Sequence, residues 1–95
     1  MAAYVIAQIE VIEPAEFEAY RRQVPATIEA YGGRYIVRGG ESETLEGTWN
    51  PKRVVILEFP DRARAKAWWS SETYSPVKAI RERAARTELI AIDGV

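Results

Sequence analysis

The sequence predicts an α+β fold of order β-α-β-β-α-β, with two helical regions on one face of a four-stranded antiparallel sheet. Three observations predict it. Four short segments rich in β-branched and apolar residues alternate with two stretches carrying helix start and stop signals. Turn residues punctuate the boundaries at Gly32-Gly33, Gly39-Gly40, Gly47, Asn50-Pro51 and Pro60-Asp61. The strands are apolar on both sides, which a sheet with one face in water is not.

Tyr4 to Val11 reads as the first strand, with Val5, Ile6, Ile9 and Val11 and no breaker inside. Pro14 suits the first helical position, and Glu16 and Glu18 complement the positive end of the helix dipole. Phe17, Tyr20, Val24, Ile28 and Tyr31 recur at steps of three or four, forming an apolar stripe. Pro25 interrupts that stripe and predicts a kink, because it lacks a backbone donor. Gly32-Gly33 ends the helix, one of them in the left-handed conformation. The second strand is expected over Arg34 to Gly40, followed by an acidic hairpin (Glu41, Glu43, Glu46) with a short strand of its own near Thr44-Leu45. Arg53 to Phe59 is the clearest strand. Pro60 stops it, and Asp61 caps a helix from Arg62 to about Ser70. A break at Ser70 to Ser75 precedes a further helical piece from Pro76, capped by Ser75 or Ser71, with Val77, Ile80 and Ala84 inward. Glu88 to Asp93 is the last strand. The arrangement is that of ferredoxin-like domains, in a single domain over residues 1–95.

Side chains alternate across a strand. Val55, Leu57 and Phe59 oppose Val54 and Ile56; Leu89 and Ala91 oppose Ile90 and Ile92; Val5, Ala7 and Ile9 oppose Tyr4 and Ile6. Helices can shelter only one of these faces. Leaving five or six large side chains in water forgoes several kcal/mol at ~25 cal/mol per Å2. A homodimer through the open sheet face is therefore expected, the alternative being a monomer whose hairpin (residues 40–52) folds across the sheet.

Composition narrows the chemistry. The chain has no cysteine and no histidine, which removes disulfides, thiolate nucleophiles, cysteine or histidine metal ligands and the Ser-His-Asp triad. Glu41, Glu43 and Glu46 lack calcium-loop spacing, and the glycine doublets form no phosphate cradle, so neither a metal nor a cofactor is expected. A net charge of −1 argues against a polyanion partner. Residues 62–86 hold seven basic and two acidic side chains, but the third strand carries aliphatic residues where an RNA-recognition motif presents stacking rings; no nucleic-acid partner is expected. The N-terminus has no basic start, and no apolar run approaches the ~20 residues of a membrane span, so no membrane partner and a cytoplasmic location are expected.

The run Tyr31-Gly32-Gly33-Arg34-Tyr35-Ile36-Val37-Arg38-Gly39-Gly40, followed by Leu45-Glu46-Gly47-Thr48-Trp49-Asn50-Pro51, resembles the domain-of-unknown-function family thirteen-thirty. Val55-Ile56-Leu57-Glu58-Phe59-Pro60, Ala67-Trp68 leading to Ser71 and Tyr74, and Arg81 extend the resemblance over nearly the whole chain. It implies the dimeric α+β barrel superfamily, whose relatives include cofactor-free monooxygenases and muconolactone-isomerase-like enzymes. The family brings no established reaction, so no catalytic residue is inherited from it. Glu13 departs from the aspartate usual before Pro14, a weaker helix cap.

Candidate site residues follow from the side chains themselves. Arg38 is the first, a guanidinium beside a glycine pair that can take a carboxylate or enolate oxygen bidentately. By simple alternation it shares a face with Arg34 and Ile36, opposite Tyr35 and Val37. Its plain alternative is an ion pair with a hairpin glutamate. Glu46 near Trp49 is a candidate general base, or simply part of a solvated loop. Tyr74 and Arg81 place a phenol and a cation on adjacent turns, or else Tyr74 plugs the helix break and Arg81 bonds a carbonyl. Tyr4 and Trp68 are candidate pocket walls. Catalytic roles are thus expected of Arg38, Glu46 and Tyr74, and ligand contacts of Tyr4, Trp49, Trp68 and Arg81. The expected function is binding or cofactor-free turnover of a small carboxylate, phenol or lactone-like molecule; the alternative is a non-catalytic dimeric module.

Overall fold

β-branched and small residues over Ala3–Val11 form β1, the strand that receives hydrogen bonds on both sides. The computed structural model describes residues 1–95. After β1 come α1 (Pro14–Glu29), β2 (Arg34–Arg38), β3 (Arg53–Phe59), α2 (Arg62–Trp69), α3 (Ser75–Ala84) and β4 (Ala85–Asp93). The sheet is antiparallel throughout in the order β2-β3-β1-β4. No helix is long and apolar enough to cross a membrane.

Helix starts and stops follow local chemistry. Asp61 accepts the Arg64 backbone N–H at 2.7 Å, capping α2. Ser71 Oγ accepts the Tyr74 N–H at 3.0 Å and shapes the turn into α3. Glu13 makes no such side-chain bond ahead of α1. Gly32, at φ +77°, ends α1, and the Gly33 N–H returns to the Ile28 carbonyl at 3.0 Å.

Helix α1 runs through Pro25 to Glu29, where the proline removes one hydrogen bond and Val24, Thr27 and Ile28 hold the helix in place by packing. Three expectations are revised. β2 ends at Arg38, because Gly39 at φ +71° turns the chain away. The hairpin at 41–50 contains no strand and is exposed throughout. β4 begins at Ala85 instead of Glu88, since Ala85 is already extended and pairs with Val11.

Helices α1, α2 and α3 cover one side of the sheet. Val5, Ala7, Ile9, Leu57 and Phe59 are buried there against Phe17, Val24, Ile28, Trp68 and Val77. The other side is uncovered: Ile90 is 55% and Ile92 47% exposed, with Ile6, Val54 and Ile56 half-buried beside them. The hairpin does not close that side. Trp49 reaches only its corner, donating from Nε1 to Gln8 Oε1 at 3.0 Å while itself 66% exposed.

Candidate functional site

Where α1 and α3 rest on the sheet, the layers part into a cleft walled by Val5, Ile9, Phe17, Val24, Leu57 and Leu89. Four arginines line it (Arg21, Arg38, Arg53 and Arg81), and no acidic residue does. It encloses about 30 Å3. At ~10–15 Å3 for each water, that is room for two.

Arg38 reaches the cleft because of a bulge. Tyr35 pairs with Leu57, but Val37 pairs with Ile56, leaving Ile36 as an extra residue in β2. The inserted residue inverts the alternation beyond it. Arg38 therefore sits opposite Val55 on the helix side, with Tyr35, while Arg34 faces the open side and pairs with Glu58 at 2.8 Å. The expectation that Arg38 shares a face with Arg34 is corrected by that one residue. The Arg38 guanidinium lies 4.4 Å from the Tyr35 ring centroid and donates from Nη2 to the Arg21 carbonyl at 2.8 Å. That carbonyl is one that a residue at position 25 would normally engage, and Pro25 has no N–H to offer it. The helix-interrupting proline thus supplies the acceptor that orients Arg38. No hairpin glutamate pairs with Arg38.

Arg53, at the start of β3, completes the mouth. A Cβ on Gly39 would collide with the Arg53 guanidinium, so the glycine admits the arginine as well as making the turn. Burial, then the charges of Arg21 and Arg38, hold the Arg53 guanidinium below its usual range. No carboxylate lines the cleft beside these three cations. Glu18 does pair with Arg21 at 3.3 Å, but both side chains are largely exposed, a setting in which ion pairs contribute ~0.2–1 kcal/mol. Nε of Arg21 and Nε of Arg53 are buried without a partner.

The floor is a tyrosine-arginine network. Tyr20 and Tyr74 share a hydrogen bond of 2.8 Å between their hydroxyls, and Arg81 Nε donates to the Tyr74 hydroxyl at a long 3.4 Å. Burial, reinforced by Tyr74, pushes the Tyr20 phenol far above its usual value. Tyr35 is also raised by burial, with Arg38 opposing. Both stay protonated at neutral pH and can donate. Trp68 stacks on Tyr74 at 4.2 Å and donates from Nε1 to Thr27 Oγ1 at 3.1 Å. Tyr74 is fully buried and plugs the α2–α3 break, as its plain alternative had it. Arg81, 7% exposed, bonds the phenol instead of a carbonyl and has no carboxylate within ion-pair distance. Burial acts to lower the Arg81 guanidinium, but Tyr74 and Tyr20 outweigh it and hold it above its usual range, and its place in the last turn of α3 adds ~0.3–1 kcal/mol through the helix dipole.

Of the residues singled out in the sequence, Arg38, Trp68 and Arg81 line this cleft, and Tyr74 lies immediately behind it. Three lie elsewhere. Glu46 and Trp49 stand on the exposed hairpin, and Tyr4 is on the open sheet side, where its hydroxyl donates to Glu58 at 3.3 Å. The cleft also contains Tyr20, Arg21, Tyr35 and Arg53, which sequence reasoning did not select. Arg21 was within reach of it, lying between Phe17 and Val24 on the inward stripe of α1. Arg53 was not, because only strand register places it beside Arg38.

Solved structures of low sequence similarity share this fold. A protein of unknown function from Rhodopseudomonas palustris is 18% identical, with a TM-score of 0.78 over 99% of this chain and 82% of that one. SnoaB, a cofactor-independent oxygenase from Streptomyces nogalater, is 13% identical, with a TM-score of 0.67 over 99% and 93% of the two chains. A dimeric ferredoxin-like protein of unknown function from Jannaschia is 12% identical, with a TM-score of 0.67 over 99% and 100%. No curated protein matches the sequence. Residues 2–95 match the model of the family described as domain of unknown function DUF1330, and the chain belongs to that family.

Proposed function

We propose that the cleft binds a small organic oxyanion, a carboxylate or an ionised phenol or enol, and turns it over without a cofactor. The observation that carries this reading is the set of three guanidinium groups, Arg21, Arg38 and Arg53, around an apolar cleft with no acidic residue in its lining, of which only Arg21 has a carboxylate partner, the exposed Glu18. Arginine presents paired donors to a planar oxyanion, and a cationic mouth with apolar walls favours the ionised form of a bound phenol. Tyr20, Tyr35 and the Tyr74 behind them supply hydroxyls for proton traffic. That one structural neighbour is named a cofactor-independent oxygenase is consistent with such chemistry. Glu46 has no part in it, being distant from the cleft.

Arg38 is the moving part. Exposed and held by one hydrogen bond and one ring face, it can swing aside on the nanosecond scale to admit a ligand larger than the two waters the closed cleft holds. The test is thermal-shift and calorimetric screening with small carboxylates, phenols and lactones. Binding is expected for the anionic members, with at least a tenfold loss in Arg38→Ala. An Arg38→Ala variant that keeps both stability and binding removes the anchor.

The small enclosed volume favours a second reading, a non-catalytic dimeric module in which the same residues only pack. Saturation of the protein by none of these anions at millimolar concentration decides for it. In either reading the working form we propose is a homodimer joined through the open sheet side, supported by the uncovered Ile6, Ile56, Ile90 and Ile92 and by the dimeric fold neighbour.

A further inference from the structure

We infer that the cleft selects ligands with two anionic groups at opposite ends of an apolar body, one held by the outer arginines and the other by Arg81 at the floor. This rests on the cleft being a ligand site, as proposed above, and specifies the class of molecule it takes. Arg81 differs from the other three arginines in the lining. It is nine-tenths buried and permanently charged, and its partners are phenols, Tyr74 at a long 3.4 Å with Tyr20 beside it, not carboxylates. The remaining donors of its guanidinium have no carboxylate to meet, because no acidic side chain lines the cleft and none pairs with Arg81. The α3 dipole compensates only a fraction of that buried charge. A second anion coming from the ligand completes the balance.

The outer group and this floor are carried by different elements, α1, β2 and β3 against α3. Arg38 is anchored on the Arg21 carbonyl and Tyr35 ring, and Arg53 lies beside Gly39 at the β2–β3 end of the sheet. Arg81 belongs to the far helix, beside the Tyr20–Tyr74 pair. The lining they share includes apolar side chains, Phe17, Val24 and Leu89 among them, which suit a hydrocarbon or aromatic body.

The experiment compares benzoate with the three benzenedicarboxylates by isothermal calorimetry on the whole protein, then repeats it on Arg81→Met and Arg81→Lys. At least one dicarboxylate is expected to bind ten times or more tighter than benzoate. Arg81→Met should abolish that advantage, and Arg81→Lys should restore part of it. Equal affinity of benzoate and every dicarboxylate for the unaltered protein, which requires no variant to fold, overturns the two-anion inference and leaves the oxyanion site standing. A dicarboxylate advantage that survives Arg81→Met overturns it also, placing the second charge elsewhere. Absence of binding by all four compounds removes the site and the inference together.

Discussion

The two sides of the sheet are built from similar residues and have opposite fates. On the helix side Leu57 and Phe59 of β3 are buried; one residue away, Val54 and Ile56 are half-exposed. Aliphatic content does not distinguish them. Polar content does: the helix side gathers arginines and tyrosines around a cleft, whereas on the open side Tyr4 and Arg34 both bond Glu58, and Gln8 bonds only the hairpin's Trp49. In the reading proposed above, the convergent cationic cleft takes a small anion and the uncovered apolar face meets another face like itself.

The strongest way to test that contrast is to damage each side in turn. Trp68→Ala, on the helix side, removes a ring stacked on Tyr74 and tilted 5.6 Å from Phe59, and should cost ~3–5 kcal/mol of stability, measured by denaturant unfolding. Ile90→Lys, on the open side, should change protomer stability by less than ~0.5 kcal/mol. Its effect should fall on assembly. A two-fold interface meets the substitution twice, and ~1.4 kcal/mol per copy raises the dimer dissociation constant roughly 100-fold, read by sedimentation. A folded monomer before any substitution would break the comparison, leaving the open side without its partner.

Subtler effects separate the sides by pH. Tyr20 is raised in the folded state, so folded and unfolded chains are both protonated below about pH 10 and only the unfolded chain ionises just above it. Stability should therefore fall as pH climbs past 10, and Tyr20→Phe should flatten that alkaline slope while costing ~1 kcal/mol at neutral pH for the lost Tyr74 bond. Glu58, on the open side, has the opposite sign. Its bond to Arg34, with Tyr4 assisting, holds its carboxyl below the usual range, so its contribution is present above about pH 4.3 and is lost as pH falls through the folded value. Glu58→Gln should flatten the acid limb, the smallest of these effects because the pair is exposed.

Much of the fold was legible in local chemistry. Asp61 as a cap, Gly32 as a left-handed terminator, the Phe17-Tyr20-Val24-Ile28 stripe and the two-sided strands all act through neighbours within a few residues, and each appears in the structure as read. The cleft was legible in part. Arg38, Trp68 and Arg81 stand out as residue types in suggestive places, but Glu46 and Trp49 look equally suggestive in a linear reading. What separates the two groups is whether the chain between them turns toward the helices or away, a matter of backbone conformation at Ile36 and Gly39.

By itself, then, the sequence determined the element order, the apolar surplus on both sides of the strands and the absence of histidine and cysteine chemistry, because composition and short-range periodicity are properties of the chain. Only the tertiary structure decided which face Arg38 occupies, that Pro25 leaves it a carbonyl, and that Arg53 and Arg81 converge on the same cleft. Strand alternation has a period of two, so a single bulged residue reverses every side chain beyond it, and bulges are settled by pairing with a distant strand.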